Sequence, residues 1–172
     1  MTIEPVGELH PGFSSEEALP TPWADSRRRL EEADLAWLTT VRPDGRPHVT
    51  PVIFAWLDGA VFFVTGLEER KAKNLARNPH CIITAGCNTL DGGLDVVVEG
   101  EAAVLSDTTR FREVADALAA KYLPREGAKV FHDDLRERTF IVDGKTLLFE
   151  VRPTTVFGFG KGDEFSQTRW RF

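Results

Sequence analysis

The sequence predicts a mainly β domain whose antiparallel strands form a sheet that closes on itself. The first observation is a set of short runs rich in β-branched and aromatic residues, such as Val61–Val64, which are too short for helices. The second is that tight-turn signals join consecutive runs, most clearly Pro43–Gly45 and Asp58–Gly59. Consecutive hairpins favour an antiparallel sheet, and closure avoids the long exposed edges that an open sheet of this size would leave.

The predicted elements begin with a proline-rich arm. Residues 1–22 contain four prolines, and we expect a flexible arm with little regular structure that drapes on a partner subunit. Residues 23–172 then form a single domain. Helices are predicted over 23–33, over a short basic stretch between 68 and 78, and over about 106–122. Strands are predicted over 35–41, 47–57, 60–65, 80–85, 95–105, 145–152 and 155–159.

The remaining segments are assigned no strand. Residues 124–138 are a polar connection that could form a helical turn, and 161–172 are a C-terminal tail. The glycines at 158, 160 and 162 match neither a dinucleotide-binding nor a phosphate-binding loop, because no helical pattern follows them. They are typical of a flexible turn.

Composition and charge exclude several classes of protein. The chain has 172 residues, of which 42% are hydrophobic and 28% charged, as in ordinary globular proteins. The net charge of −6 argues against nucleic acid or an anionic membrane as the main partner, since both are bound by clustered lysines and arginines. The sequence contains no apolar run long enough to span a bilayer, and it starts without the pattern of a secretion signal, so we expect a cytoplasmic protein.

The cysteines and histidines predict no metal site. Cys81 and Cys87 fit neither a redox pair nor a zinc-ligand pair, and they are expected to be inert thiols. His10, His80 and His132 are scattered, without the spacing of metal ligands.

The stretch from Val61 to Pro79 predicts a buried strand, a Thr-Gly exit and a short basic helix. Four residues fall on one helix face at positions i, i+3, i+4 and i+7: Arg70, Lys73, Asn74 and Arg77. Lys71 sits between the faces and could lean toward the end of the strand. The Thr65 hydroxyl, free N–H groups at the helix start, Arg70 and Lys71 could together hold a phosphate. The alternative is an ordinary solvated helix face.

Four pieces in this order resemble the split-barrel flavoproteins related to pyridoxamine 5′-phosphate oxidase. They are Arg46–Val52, Phe63–Thr65, Arg70-Lys71 and Asn78-Pro79, and the resemblance runs from about residue 35 to 152. The closing Thr168–Phe172 is similar to the end of actinobacterial members, some of which use the 8-hydroxy-5-deazaflavin coenzyme F-420 in place of FMN. The resemblance implies an antiparallel six-stranded split β-barrel that forms a homodimer with two flavin sites at the subunit interface.

The resemblance also implies which residues bind the cofactor. The isoalloxazine ring would be lined by the second hairpin strand, with His48, Val49, Thr50, Pro51 and Val52. The ribityl phosphate would be held by Val64, Thr65, Arg70 and Lys71, with Asn74 beside them. Two assignments stay open: His48 contacts a flavin or substrate or is an ordinary surface residue, and Trp170 stacks on the flavin or anchors the tail.

The implied function is an FMN- or F-420-dependent oxidoreductase that moves hydride to or from a small organic molecule. No side chain is assigned as catalytic. Asp95 stands where the oxidase carries a flavin-contacting Gln, and the oxidase's terminal Arg-and-His motif is missing, so pyridoxamine phosphate is not the expected substrate. The alternatives are a non-enzymatic carrier or sensor of a flavin, haem or other tetrapyrrole, and an interaction module without a cofactor.

Overall fold

Nine strands form one antiparallel sheet in the computed structural model, which describes residues 4–125 and 145–172. The strands are β1 (Glu8–Leu9), β2 (Ala36–Val41), β3 (Pro47–Val52), β4 (Phe54–Leu57), β5 (Ala60–Gly66), β6 (His80–Ala85), β7 (Gly93–Val104), β8 (Thr146–Lys161) and β9 (Ser166–Arg171). The helices are α1 (Trp23–Glu32), α2 (Arg70–Leu75) and α3 (Thr108–Tyr122). None of these three helices is long and apolar enough to cross a membrane. Most of the predicted connection 124–138, with His132, lies outside the described residues.

The sheet curls because one long strand serves two halves of it. The main path runs β1-β9-β8-β7-β6-β2-β3, and β5 pairs with β4 on one side and with β8 on the other. Only Ile53 separates β3 from β4, so the chain itself joins the end of the main path to the β4–β5 pair. The predicted mainly β antiparallel architecture is confirmed. The count of six strands is not confirmed, since short strands at both chain ends and the division at Ile53 raise the number.

The division at Ile53 corrects the predicted single strand over 47–57. A second correction is that β8 runs unbroken through both of the last predicted strands and through Gly158 and Gly160. These glycines do not form a flexible turn. A Cβ atom at Gly158 would lie 2.8 Å from the Trp170 ring, so the missing side chain makes room for the indole.

The C-terminal tail, which was assigned no strand from the sequence, forms strand β9 between β8 and β1. The N-terminal segment lies along this strand of its own chain. The N–H groups of His10 and Ser15 each donate to a backbone carbonyl of the tail at 2.8 Å. Glu8 pairs with Arg169 at 2.6 Å and with Arg171 at 3.2 Å. Contact of this segment with a partner subunit therefore stays an untested expectation.

The core lies inside the curled sheet and under α3. Leu38, Phe54, Phe63 and Ile83 are fully buried within the curl. Helix α3 packs Val114, Leu118 and Tyr122 against Phe62 in a second apolar cluster. Fully burying each such large side chain contributes roughly 1.5–3 kcal/mol, so this packing fixes the strands that carry the candidate site.

Strand β3 forms one end of the main sheet path, because β2 is its only described strand neighbour. Its side chains alternate between two faces. His48, Thr50 and Val52 share the inner face with the neighbouring buried residues of β2, whereas Val49 and Pro51 lie on the outer face beside Trp37. Pro47 and Pro51 are tolerated in this strand because proline is confined largely to sheet edges.

Candidate functional site

Strand β5 places Thr65 and Gly66 just before the turn that leads into helix α2. Its apolar residues Val61–Phe63 are fully buried, so the strand is held firmly up to Thr65, which is 4% exposed. Helix α2 follows after a short turn and packs Ala72 and Leu75 on the core. This packing carries Lys71 and Asn74 inward, where they are 8% and 1% exposed. Lys71 is therefore packed against the protein and does not extend into solvent.

One of the groups assigned to a phosphate, the Lys71 ammonium, meets an internal carboxylate instead, that of Glu69. The Gly66 N–H donates to Glu69 Oε1 at 2.9 Å, and Lys71 Nζ forms an ion pair with Oε2. Partial burial would raise the pKa of Glu69, but the hydrogen bonds from Lys71 and the Gly66 N–H hold it below its usual value. The cradle of Gly66 and Lys71 therefore stabilises a negative charge.

Three cations contribute to the electrostatic surroundings of His48 on the inner face of β3. Burial, followed by the positive charges of Arg42, Lys71 and Arg70, lowers the pKa of His48. The imidazole is therefore neutral at pH 7. Arg70 is exposed and forms no ion pair with any described residue, so its charge is available to a ligand.

A short polar chain connects α2 to β3 across β2. Asn74 Nδ2 donates to Thr40 Oγ1 at 2.9 Å, and that hydroxyl lies 3.5 Å from His48 Nδ1. Asn74 Oδ1 and Thr50 Oγ1 are buried without a hydrogen-bond partner among the described residues. Buried polar atoms of this kind are uncommon in folded proteins and are consistent with a polar ligand or water at the site.

The structure brings together only part of the predicted set. Electrostatic and hydrogen-bond contacts link His48, Arg70, Lys71 and Asn74 in one region. Thr65 lies at the end of β5 with a buried hydroxyl that has no hydrogen-bond partner among the described residues, and Thr50 shares the inner face of β3 with His48.

Four predicted residues take no part in these contacts, and of these only Val52 lies on the inner face of β3. Val49 is 52% exposed on the outer face of β3, together with Pro51, whereas Val52 is 5% exposed on the inner side. Val64 packs with Phe62 and Leu148 in the cluster under α3. Any contact of these residues with a cofactor would need their backbone groups or a partner subunit.

Trp170 lies in the core, 1% exposed, with its ring centroid 5.5 Å from that of Trp23. Of the two roles left open by the sequence, this packing supports anchoring of the tail. The carboxylate of Asp95 has partners within the chain. It accepts a hydrogen bond from the Cys87 N–H at 2.8 Å and forms an ion pair with Lys161 at 2.9 Å.

Sequence reasoning missed three residues of the site: Thr40, Arg42 and Glu69. Thr40 lies opposite His48 in the hairpin that joins β2 to β3, and Arg42 lies in the turn of that hairpin. The predicted hairpin could therefore have indicated both residues. Glu69 was not among the predicted site residues. The fold of the Gly66–Glu69 turn decides where its carboxylate points, and no local pattern encodes that.

A curled antiparallel sheet with few helices defines the class of protein as a split barrel, and the cationic cradle lies at the end of its strand β5. The chain belongs to the pyridoxamine 5′-phosphate oxidase family, because the model of that family matches residues 24–159. The predicted resemblance is thereby confirmed.

Relatives and solved structures agree with this assignment. A pyridoxine/pyridoxamine 5′-phosphate oxidase of Bacteroides thetaiotaomicron is 34% identical over 104 residues, which cover 59% of this chain and 46% of the relative. The chain spans between 46% and 64% of the length of the curated relatives that it matches.

Two solved structures show the same fold. A conserved hypothetical protein from Mycobacterium tuberculosis aligns with a TM-score of 0.67 and 21% identity, over 83% of this chain and 86% of that one. A heme binding protein from Mycobacterium smegmatis aligns with a TM-score of 0.62 and 19% identity, over 87% of this chain and 59% of that one. At these identities the likeness concerns the fold alone.

Proposed function

We propose that the chain is a flavin-dependent oxidoreductase that binds FMN, or the deazaflavin coenzyme F-420, and transfers hydride to or from a small organic substrate. The observation that carries the proposal is the convergence of Lys71 and the Gly66 N–H on one carboxylate, beside the unpaired Arg70. A site that stabilises an internal anion has the donors that a cofactor phosphate requires.

The donor set fits a flavin phosphate once the Glu69 carboxylate moves aside. Lys71 supplies a nearly buried ammonium group, Arg70 a free guanidinium, and Gly66 a backbone donor. The buried Thr50 hydroxyl and Asn74 Oδ1 still lack partners among the described residues, and both are suited to polar groups of a cofactor.

The bound flavin would supply the hydride chemistry, and the residues of the chain would bind and orient it. Lys71 and Arg70 would neutralise the phosphate. His48 would present an uncharged imidazole on the inner face of β3, because burial and the neighbouring cations keep it from binding a second proton. A neutral ring nitrogen can either donate or accept a hydrogen bond at the ligand.

The test of this function is a visible spectrum of the purified protein, with mass spectrometry of any small molecule released on denaturation. We expect one FMN per subunit, or a colourless protein that binds F-420 with micromolar or tighter affinity. Failure of both flavins to bind at micromolar concentration would refute the proposal. Release of haem instead would favour the carrier alternative.

We also propose that the chain forms a homodimer through the outer face of the sheet. One row of paired residues crosses this face, from Pro51 through Trp37, Thr84 and Val97 to Phe157. Trp37 is 54% exposed and Val49 beside it is 52% exposed. Contiguous exposed apolar groups of this kind are typical of protein interfaces.

Replacing Trp37 with Lys should shift the protein from dimer to monomer in sedimentation velocity. Truncating a central aromatic residue of an interface costs about 2 kcal/mol or more, and a buried lysine adds a desolvation cost. Leu90→Lys is the matched control, since Leu90 is 71% exposed in the loop between β6 and β7 and is not part of the paired row. A Trp37→Lys variant that stays dimeric would exclude this interface.

A further inference from the structure

We propose that Glu69 determines which ligands the cradle accepts, because its carboxylate competes with a ligand phosphate for Lys71 and the Gly66 N–H. This inference rests on the proposed flavin-binding function and adds a specificity-determining residue to it. The competing classes are flavins that carry a phosphate and flavins that lack one.

The turn between β5 and α2 holds the Glu69 side chain over the cradle. The backbone N–H of Glu69 donates to the Gly66 carbonyl at 3.0 Å, while the Gly66 N–H donates back to the Glu69 carboxylate at 2.9 Å. These two bonds close a reciprocal ring across the turn. The carboxylate is therefore fixed next to Lys71 by the local backbone as well as by charge.

The ion pair also has an electrostatic role in the ligand-free chain. The Lys71 side chain is only 10% exposed, whereas that of Glu69 is 51% exposed. A nearly buried ammonium group needs a partner, since leaving one charge of a buried pair alone is costly. Glu69 supplies this partner, and its half-exposed side chain has room to swing into solvent when another anion arrives.

The neighbouring Glu68 has the same charge but different contacts. Its side chain is 86% exposed and pairs with Lys73 at 2.7 Å, on the solvent side of the helix. The effect that we infer is therefore specific to the position of Glu69 and does not follow from the acidity of the segment as a whole.

Two like charges within the cradle repel, so a phosphate must displace the carboxylate or bind beside it at a cost. Replacing Glu69 with Gln removes the charge and keeps the shape and a hydrogen-bond acceptor for Gly66. Lys71 then lacks its internal partner. We expect FMN to bind at least about tenfold more tightly to this variant at low ionic strength.

Flavin fluorescence titrations of the full-length wild type, Glu69→Gln and Glu68→Gln with FMN and with riboflavin test the inference. Riboflavin has the same ring without the phosphate, so its affinity should be the same in all three proteins. Glu68→Gln changes the net charge equally and should leave FMN affinity within about twofold of wild type. Circular dichroism melting of each variant verifies folding.

The outcomes separate this inference from the proposed function. If FMN binds all three proteins equally, the role of Glu69 is wrong and flavin binding stands. An equal gain for Glu69→Gln and Glu68→Gln also overturns the role, because it reflects net charge alone. If none of the proteins binds FMN or riboflavin, the role of Glu69 is wrong, and the proposed function is wrong as well if F-420 also fails to bind.

Discussion

FMN binding should weaken by about 1.5–3 kcal/mol for each charged hydrogen bond lost when Arg70 and Lys71 are both replaced with Ala. Two lost bonds correspond to at least about a hundredfold increase in Kd. The expectation follows from the position of Lys71 in the cradle and from the unpaired charge of Arg70. Equilibrium titration with FMN, monitored by flavin fluorescence, measures the change.

The matched control is Lys73→Ala with Arg77→Ala, which also removes two positive charges from this segment. Both side chains lie on the exposed side of the segment, and Lys73 pairs with Glu68 rather than with the cradle. We expect these changes to alter FMN affinity less than about threefold at physiological salt, where exposed charges are screened. Similar losses in both double variants would indicate a general electrostatic attraction instead of a defined phosphate site.

Trp170→Ala should lower the free energy of unfolding by about 3–5 kcal/mol, which is the range for removing a large aromatic side chain from a core. The indole is almost completely buried, and Gly158 leaves space for it in the neighbouring strand. Its loss would open a cavity between β8, the N-terminal segment and Trp23. Urea unfolding followed by circular dichroism gives the change directly.

Phe172→Ala provides the comparison for this prediction. Phe172 also contacts Trp23, with ring centroids 5.2 Å apart, but it is 53% exposed and should cost less than about 1.5 kcal/mol. The variants also separate the two roles of Trp170. Full stability of Trp170→Ala combined with loss of FMN binding would restore the stacking role.

The fold was predictable where local pattern and tertiary structure agree. Val61–Thr65 is apolar, short and bounded by turn signals, and it forms β5 as expected. The tail was harder to predict. Thr168 and Trp170 are buried while Arg171 is exposed, which is a strand alternation, yet the pattern spans too few residues to distinguish a strand from an irregular end.

The cationic residues of the site were predictable from the sequence, whereas the position of the Glu69 carboxylate was not. Arg70 and Lys71 follow a strand exit at a spacing that the sequence displays directly. The contact between Glu69 and Gly66 depends on how the intervening turn folds, and the contact of Asn74 with Thr40 joins residues 34 positions apart. Such contacts follow from packing of α2 on β2, which local patterns do not specify.

The two prolines of β3 have a consequence for how this protein meets other chains. Residues 47, 49 and 51 direct their backbone nitrogens to the same side of the strand, and two of these nitrogens carry no hydrogen. If that side is the free edge, as proline in a sheet requires, Val49 alone offers a donor there. A strand of another chain could not pair with this edge through an unbroken series of backbone hydrogen bonds. The two prolines therefore disfavour edge-to-edge aggregation of the chain.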